Sequence, residues 1–203
     1  MVGGGGVKIP LYTIGHGNRS IESFLALLER YAIDFLVDVR SQPYSRYNPH
    51  FSKDALEVST VQHGQRYMFM GDLLGGRPAD QSCYDAGKVD YALVRNKTWY
   101  QQGIARLHTA WEKQLRIAIL CSELKPQDCH RSKLIGNTLL EQNIAVAHID
   151  EDGELKGQEE LNLLLTHGQL PLFEDVPLLD LDARVGRSSK AYHPTRFKGE
   201  EDD

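Results

Sequence analysis

Cys121 and Cys129 stand eight residues apart in the stretch AILCSELKPQDCHRSKLIG, and His130 and Arg131 follow the second cysteine at once. A reactive thiol, an anion clamp and a metal centre all draw on these residue types. Asp128 is a good N-cap, which predicts Cys129, His130 and Arg131 as the first turn of a helix. A thiol placed there faces unpaired N–H groups and the positive end of the helix dipole, which favours the thiolate. The same position binds anions, and Arg131 adds a fork for phosphate or carboxylate. The plain alternative is a packed Cys129, with Arg131 paired to Asp128 or Glu123.

A metal centre needs three or four converging ligands, for which Cys121, Cys129, His130, His16, Asp38 and Glu123 are the candidates. Cys-x7-Cys is not a familiar zinc spacing. Neighbouring residues in a helix point about 100° apart, so Cys129 and His130 would not meet on one ion. The pattern therefore predicts no metal. Cys121 closes an apolar run, where a free cysteine is usually an inert wall residue. It is the alternative nucleophile.

Other groups gather by position. Asp38 and Arg40 are two apart on a predicted strand and share a face. That makes either a simple salt bridge or an oriented arginine reaching for an anion, with Arg46 and Arg77 enlarging a basic pocket. His16 follows a glycine and titrates near neutrality, which suits proton transfer or a turn. Gly75 and Gly76 permit a close backbone approach or turn the chain.

The elements that must position these residues read as alternating strands and helices. Leu11–Ile14 is β-prone, and a helix follows with Ser20 as N-cap. Ile33–Val39 is an apolar run broken only by Asp34 and Asp38, the mark of a strand buried on both faces. Helices are expected over 54–63 and 98–114, and strands over 67–70, 116–122 and 144–150. Residues 77–90 read as irregular, 130–142 as helical, 150–155 as a turn, and EELNLLL as a short helix. This order indicates a single α/β domain, mainly parallel, with helices on both faces and a right-handed first crossover. The domain spans 10–168, after a flexible leader at 1–9 and before an irregular tail at 169–203. In such sheets ligands bind beyond the carboxyl ends of the strands. That rule brings His16, Asp38, Arg40, Gly75–Arg77, Cys121, Glu123, His148 and Asp150 to one rim.

The chain's bulk properties narrow the function. It has 203 residues and a formal charge of −5, so nucleic-acid contact would rest on a local patch. The basic tail around Arg184–Lys198 is the place for one, or for docking on a second copy. Three cysteines argue for a reducing, cytoplasmic setting rather than a disulfide scaffold. No run approaches the roughly 20 apolar residues of a membrane span.

YTIGHGN, LVDVRSQPYSR, LLGGR, LCSE and CHR, in this order and spacing, resemble the family known as domain of unknown function 488 (DUF488) over roughly residues 11–153. The resemblance implies an α/β cytosolic protein and no settled reaction. It puts His16, Asp38, Arg40, Pro43, Ser45, Gly75, Gly76, Cys121, Glu123, Cys129, His130 and Arg131 in motif positions. Gly17 stands where that pattern usually has serine or threonine. The layout of strand, cysteine, loop, arginine-serine and helix is more distantly similar to rhodaneses, with Cys121 matching the persulfide-carrying cysteine. The loop here is longer and more acidic than theirs.

The leading expectation is an enzyme for an anionic substrate, phosphate-bearing or nucleotide-like. Arg40, Arg77 and Arg131 would hold the anion, with Ser45, Gly75 and Gly76 beside it. His16 and His130 would move protons, Asp38 and Glu123 would orient them, and Cys129 would be the nucleophile. The alternatives are a sulfur carrier on Cys121 and a non-catalytic module binding a ligand or nucleic acid. The sequence names no cofactor.

Overall fold

Strand by strand, side chains alternate between two buried faces. The computed structural model describes residues 8–165. Strand β1 is Leu11–Gly15, and α1, Ile21–Arg30, starts on Ser20, whose Oγ accepts from the Ser23 N–H at 3.2 Å. Then come β2 (Phe35–Asp38), a 3-10 turn at Pro49–Phe51, α2 (Lys53–Gln62), β3 (Arg66–Phe69) and α3 (Gly71–Leu74). A 3-10 turn at Gln81–Cys83 leads into a small hairpin, β4 (Tyr84–Asp85) and β5 (Lys88–Val89). Helices α4 (Tyr91–Arg95) and α5 (Thr98–Glu112) precede β6 (Ile117–Cys121). A 3-10 turn at Pro126–Asp128, a π-helical turn at Arg131–Gly136 and α6 (Asn137–Glu141) follow. The described chain ends with β7 (Val146–Ile149), β8 (Leu155–Gly157) and α7 (Gln158–Leu165).

The main sheet has six strands in the order β3-β2-β6-β1-β7-β8. The first five are mutually parallel and β8 is antiparallel to β7. Leu11, Val37, Ile117 and Ile119 face one core, which contains Leu74, Tyr100, Ile104 and Leu139. Ile14, Leu36, Ala118 and Leu120 face the other, with Phe24, Leu28 and Leu56. The period-two alternation thus buries both faces, under α3, α5 and α6 on one side and α1 and α2 on the other.

The α/β architecture read from the sequence is the architecture found, with local differences, among them the unexpected short helices α3 and α4. Residues 77–90 carry the turn and hairpin. The chain past Asp150 turns back as β8, whose three residues have too little pattern to announce a strand. The helix after Cys121 begins later than Asp128, as described below. The expected leader, apart from Lys8 and Ile9, and the tail at 169–203 lie outside the described residues. Among the described residues no helix is long and apolar enough to cross a membrane.

Strands β2 and β6 are neighbours, yet the chain leaves them in opposite directions, β2 toward β3 and β6 toward β7. Their following segments diverge and open a crevice at the carboxyl edge, which is where such sheets bind ligands.

Candidate active site

At the end of β2, Asp38 and Arg40 are both buried. Arg40 donates from Nε to Asp38 Oδ1 at 2.9 Å and from Nη2 to Oδ2 at 2.6 Å. Its Nη1 donates to the Phe51 carbonyl at 2.8 Å. Asp38 also accepts from the Tyr67 hydroxyl at 2.6 Å. Burial and the Asp38 carboxylate raise the Tyr67 hydroxyl well above its ordinary range. Three of the five guanidinium N–H groups are spent, leaving one each on Nη1 and Nη2.

Parallel pairing sets Asp38 beside Leu120, and just beyond this pair Arg40 and Cys121 line one cavity. A polar cavity of about 450 Å³ opens there. Arg40, Ser41 and Gln42 line it from the segment after β2. Cys121, Ser122, Glu123, Asp128 and His130 line it from the segment after β6, and Gly76, Arg77 and Tyr91 complete the wall.

The helix after β6 departs from expectation. Pro126 starts a 3-10 turn that takes up Asp128, and the Cys129 N–H closes on the Pro126 carbonyl at 3.1 Å. Cys129 is therefore extended, with φ −116° and ψ 150°. Its carbonyl accepts from Ser132 and Lys133 at 3.2 and 3.1 Å, so Cys129 itself caps the helix. Its Sγ accepts from the Arg131 N–H at 3.4 Å, as a capping side chain does. Asp128 is not the cap, and Cys129 is not in the first turn.

This backbone makes neighbouring residues converge. Cys129 Sγ lies 3.7 Å from His130 Nδ1, and Cys121 Sγ lies 3.4 Å from the same nitrogen. The Cys121 thiol donates to Glu123 Oε2 at 2.8 Å. One ligand atom from each of Cys121, Glu123, Cys129 and His130 lies within 4.8 Å of the others. The objection drawn from helical geometry does not apply, because Cys129 sits ahead of the helix.

Charge in this cluster is tightly balanced. Hydrogen bonding with Cys129 and burial hold the Cys121 thiol well above its usual range. Burial pushes the Glu123 carboxyl up, but hydrogen bonds from both thiols outweigh it and the pKa falls. Burial opposes a charge on His130, yet Cys121, Glu123 and the Val39 carbonyl outweigh that and raise its pKa.

The remaining candidates divide. Gly76 fits against the His130 ring, where a Cβ would stand 2.6 Å from Cγ. Gly75 packs on Ser41 and Gly71 instead. Ser45 braces its own loop, with Oγ accepting from the Asn48 N–H at 3.1 Å, and does not line the cavity. Arg46 is exposed and also absent from the wall. His16 is buried and stacked on Phe51 at 4.4 Å, with Nδ1 on the Gly17 carbonyl. Burial lowers its pKa to about 4, so it is neutral at pH 7. Arg131 is fully buried, with Nη2 on the Leu124 carbonyl at 2.9 Å, and does not line the cavity. Cys129 is buried behind Cys121, which is the cysteine at the wall. His148 and Asp150 tie β7 to its surroundings through Gln158 and Lys156. Of the other wall residues, Ser41, Gln42 and Ser122 fall within the quoted motifs but not among the candidates, and Tyr91 lies outside the motifs altogether.

Residues 20–137, more than half of the chain, match the family described as Domain of unknown function DUF488. The chain belongs to this family. The DUF488 segment contains Asp38, Arg40, Gly76, Arg77 and the whole Cys121–His130 cluster. His16 lies ahead of it and is not on the cavity wall. No curated protein and no solved structure matches the chain.

Proposed function

We propose that this DUF488 protein is an enzyme acting on a small anionic molecule, phosphate-bearing or nucleotide-like, held in the polar cavity at the carboxyl edge of its sheet. One observation carries this reading. Two arginines and a thiol–imidazole–carboxylate group line the same 450 Å³ cavity at the strand divergence. Arg40 and Arg77 hold the anion. Asp38 positions Arg40 so that its two unspent N–H groups remain for ligand oxygens. Cys121, Glu123 and His130 are the reacting groups opposite. A second cavity shares Ser41, Gln42 and Arg77 and adds Tyr84 and Trp99, whose flat apolar faces suit the organic part of such a ligand. Three free cysteines fit a reducing setting such as the cytoplasm.

Thermal-shift measurements test this with inorganic phosphate, phosphate monoesters and nucleotides against their unphosphorylated counterparts. The phosphorylated compounds raise Tm, and Arg77→Ala removes the rise. Equal shifts from charged and uncharged partners overturn the reading.

Cys121 at the cavity wall also favours a second reading, a sulfur carrier. The Cys121 thiolate would then take the outer sulfur of thiosulfate and release sulfite, so incubation with thiosulfate would add one sulfur atom to the Cys121 peptide by mass. An unmodified peptide ends that reading.

A further inference from the structure

We propose that Cys121, Cys129 and His130, joined by Glu123, form a binding site for a thiophilic divalent cation of the zinc class.

The geometry comes first. Tetrahedral zinc holds sulfur at about 2.3 Å and nitrogen at about 2.0–2.1 Å, which spaces its ligand atoms roughly 3.3–3.8 Å apart. The two sulfur-to-Nδ1 separations, 3.4 and 3.7 Å, fall in that range without rearrangement. The 2.8 Å contact between Cys121 Sγ and Glu123 Oε2 is a thiol hydrogen bond. It opens to about 3.5 Å when the proton leaves and both atoms turn to an ion. The three buried donors come from a strand end and a helix start, not from a mobile loop. Two sulfurs and an imidazole select zinc-type ions over magnesium or calcium.

The second observation is Arg131. Its side chain is fully buried, yet Nε and Nη1 have no hydrogen-bond partner. A buried cation is costly unless negative charge lies close. The groups near it that can carry negative charge are Cys129, Cys121 and Glu123. Two thiolates, one carboxylate and one bound dication sum to a net charge of minus one, which the Arg131 cation balances.

The third observation is access. Cys121, His130 and Glu123 reach the cavity while Cys129 is sealed behind them. Glu123 is the exposed member of the four. It is the ligand a substrate oxygen replaces, since catalytic zinc keeps three protein ligands and an exchangeable fourth position. That exchange rests on the proposed function; binding of the ion does not.

The test titrates the full-length protein, stripped with a chelator under reductant, with Co²⁺ and then with Zn²⁺ against a chromophoric chelator. One equivalent of Co²⁺ gives thiolate-to-cobalt charge-transfer absorption and tetrahedral visible bands, both bleached by Zn²⁺. Cys121→Ser and Cys129→Ser each weaken binding by at least about 100-fold, whereas Glu123→Gln keeps the charge-transfer band and weakens it about tenfold. Cys83→Ser changes nothing. Absence of the thiolate band in the wild-type protein overturns the site whatever the variants do, and so does wild-type affinity in both serine variants. The arginine variant separates the two readings. Arg77→Ala retains one equivalent of metal while losing anion binding. Failure of the metal titration with anion binding intact overturns this site alone.

Discussion

Asp38 and Arg40 grip each other through two parallel hydrogen bonds of 2.9 and 2.6 Å, with both side chains buried at the end of β2. Such a pair is oriented rather than strongly stabilising, because desolvating two charges offsets most of their attraction. Breaking it is different. Asp38→Ala leaves Arg40 buried and strands the Tyr67 hydroxyl, and costs about 3–5 kcal/mol in urea unfolding. Tyr67→Phe removes one donor and costs about 1 kcal/mol. If Asp38→Ala unfolds at the wild-type urea midpoint, the pair does not hold the strand end.

Glycines behind the site divide by what a methyl group would meet. At Gly15 it would collide with the Glu123 carbonyl, a backbone atom that cannot swing aside, and would meet Arg131 Nη1 at 2.6 Å. At Gly157 it would meet nothing within 4 Å. Gly15→Ala is expected to cost at least about 3 kcal/mol, and Gly157→Ala to change stability by under about 0.5 kcal/mol. Gly76→Ala is the functional case. The new methyl displaces the His130 ring, so its effect falls on the charge-transfer band and anion binding more than on Tm. Thermal melts and the cobalt spectrum together check all three.

The three thiols differ in access. Cys121 lines the cavity, whereas Cys83 and Cys129 are buried away from it. With chelator present, iodoacetamide is expected to label Cys121 first. Hydrogen bonding with Cys129 and burial raise the pKa of that thiol, so labelling at pH 7 runs slower than for a free cysteine. Peptide mass mapping over time gives the order. Cys83 reacting first would mean that the cavity does not reach Cys121 in solution.

Why the sequence showed the sheet so clearly and the site only in part has physical causes. Strands buried on both faces are mostly apolar, so Ile117–Cys121, and Ile33–Val39 apart from Asp34 and Asp38, announced themselves. Asp38 and Arg40 were legible because a strand repeats every two residues. Strand β8 was not, since its pairing is decided by the free edge of β7. The N-cap preference of Asp128 was real but local, and Pro126 pre-empted it by closing a 3-10 turn one residue earlier in the cycle. That displacement turned Cys129 toward His130 and created a convergence that helical spacing forbids. Tyr91 reaches the cavity from α4 through tertiary packing alone, which no local pattern encodes.

His148 fixes the expected response to acid. It is fully buried between Thr13, with Oγ1 2.7 Å from Nδ1, and Gln158, with Oε1 2.8 Å from Nε2. The Gln158 amide nitrogen is engaged by Ser132, Asn137 and Asn162, so its oxygen faces the ring and Nε2 carries the proton. Nδ1 then accepts from the Thr13 hydroxyl. Burial, reinforced by the Arg131 charge, lowers the pKa from 6.5 to about 4. The folded state therefore binds this proton less readily than the unfolded chain does. Stability from His148 is complete above pH 6.5 and drains away as the pH falls toward 4, by about 3 kcal/mol in all. His16, lowered to about 4 by burial as well, adds to the same loss over the same window. Urea unfolding at steps from pH 8 to 4 should give a flat plateau and then a decline. His148→Gln removes the titrating ring, so the variant is less stable at pH 8 but declines less steeply below 6.5. Parallel declines for the two proteins would mean that His148 takes up its proton as readily folded as unfolded.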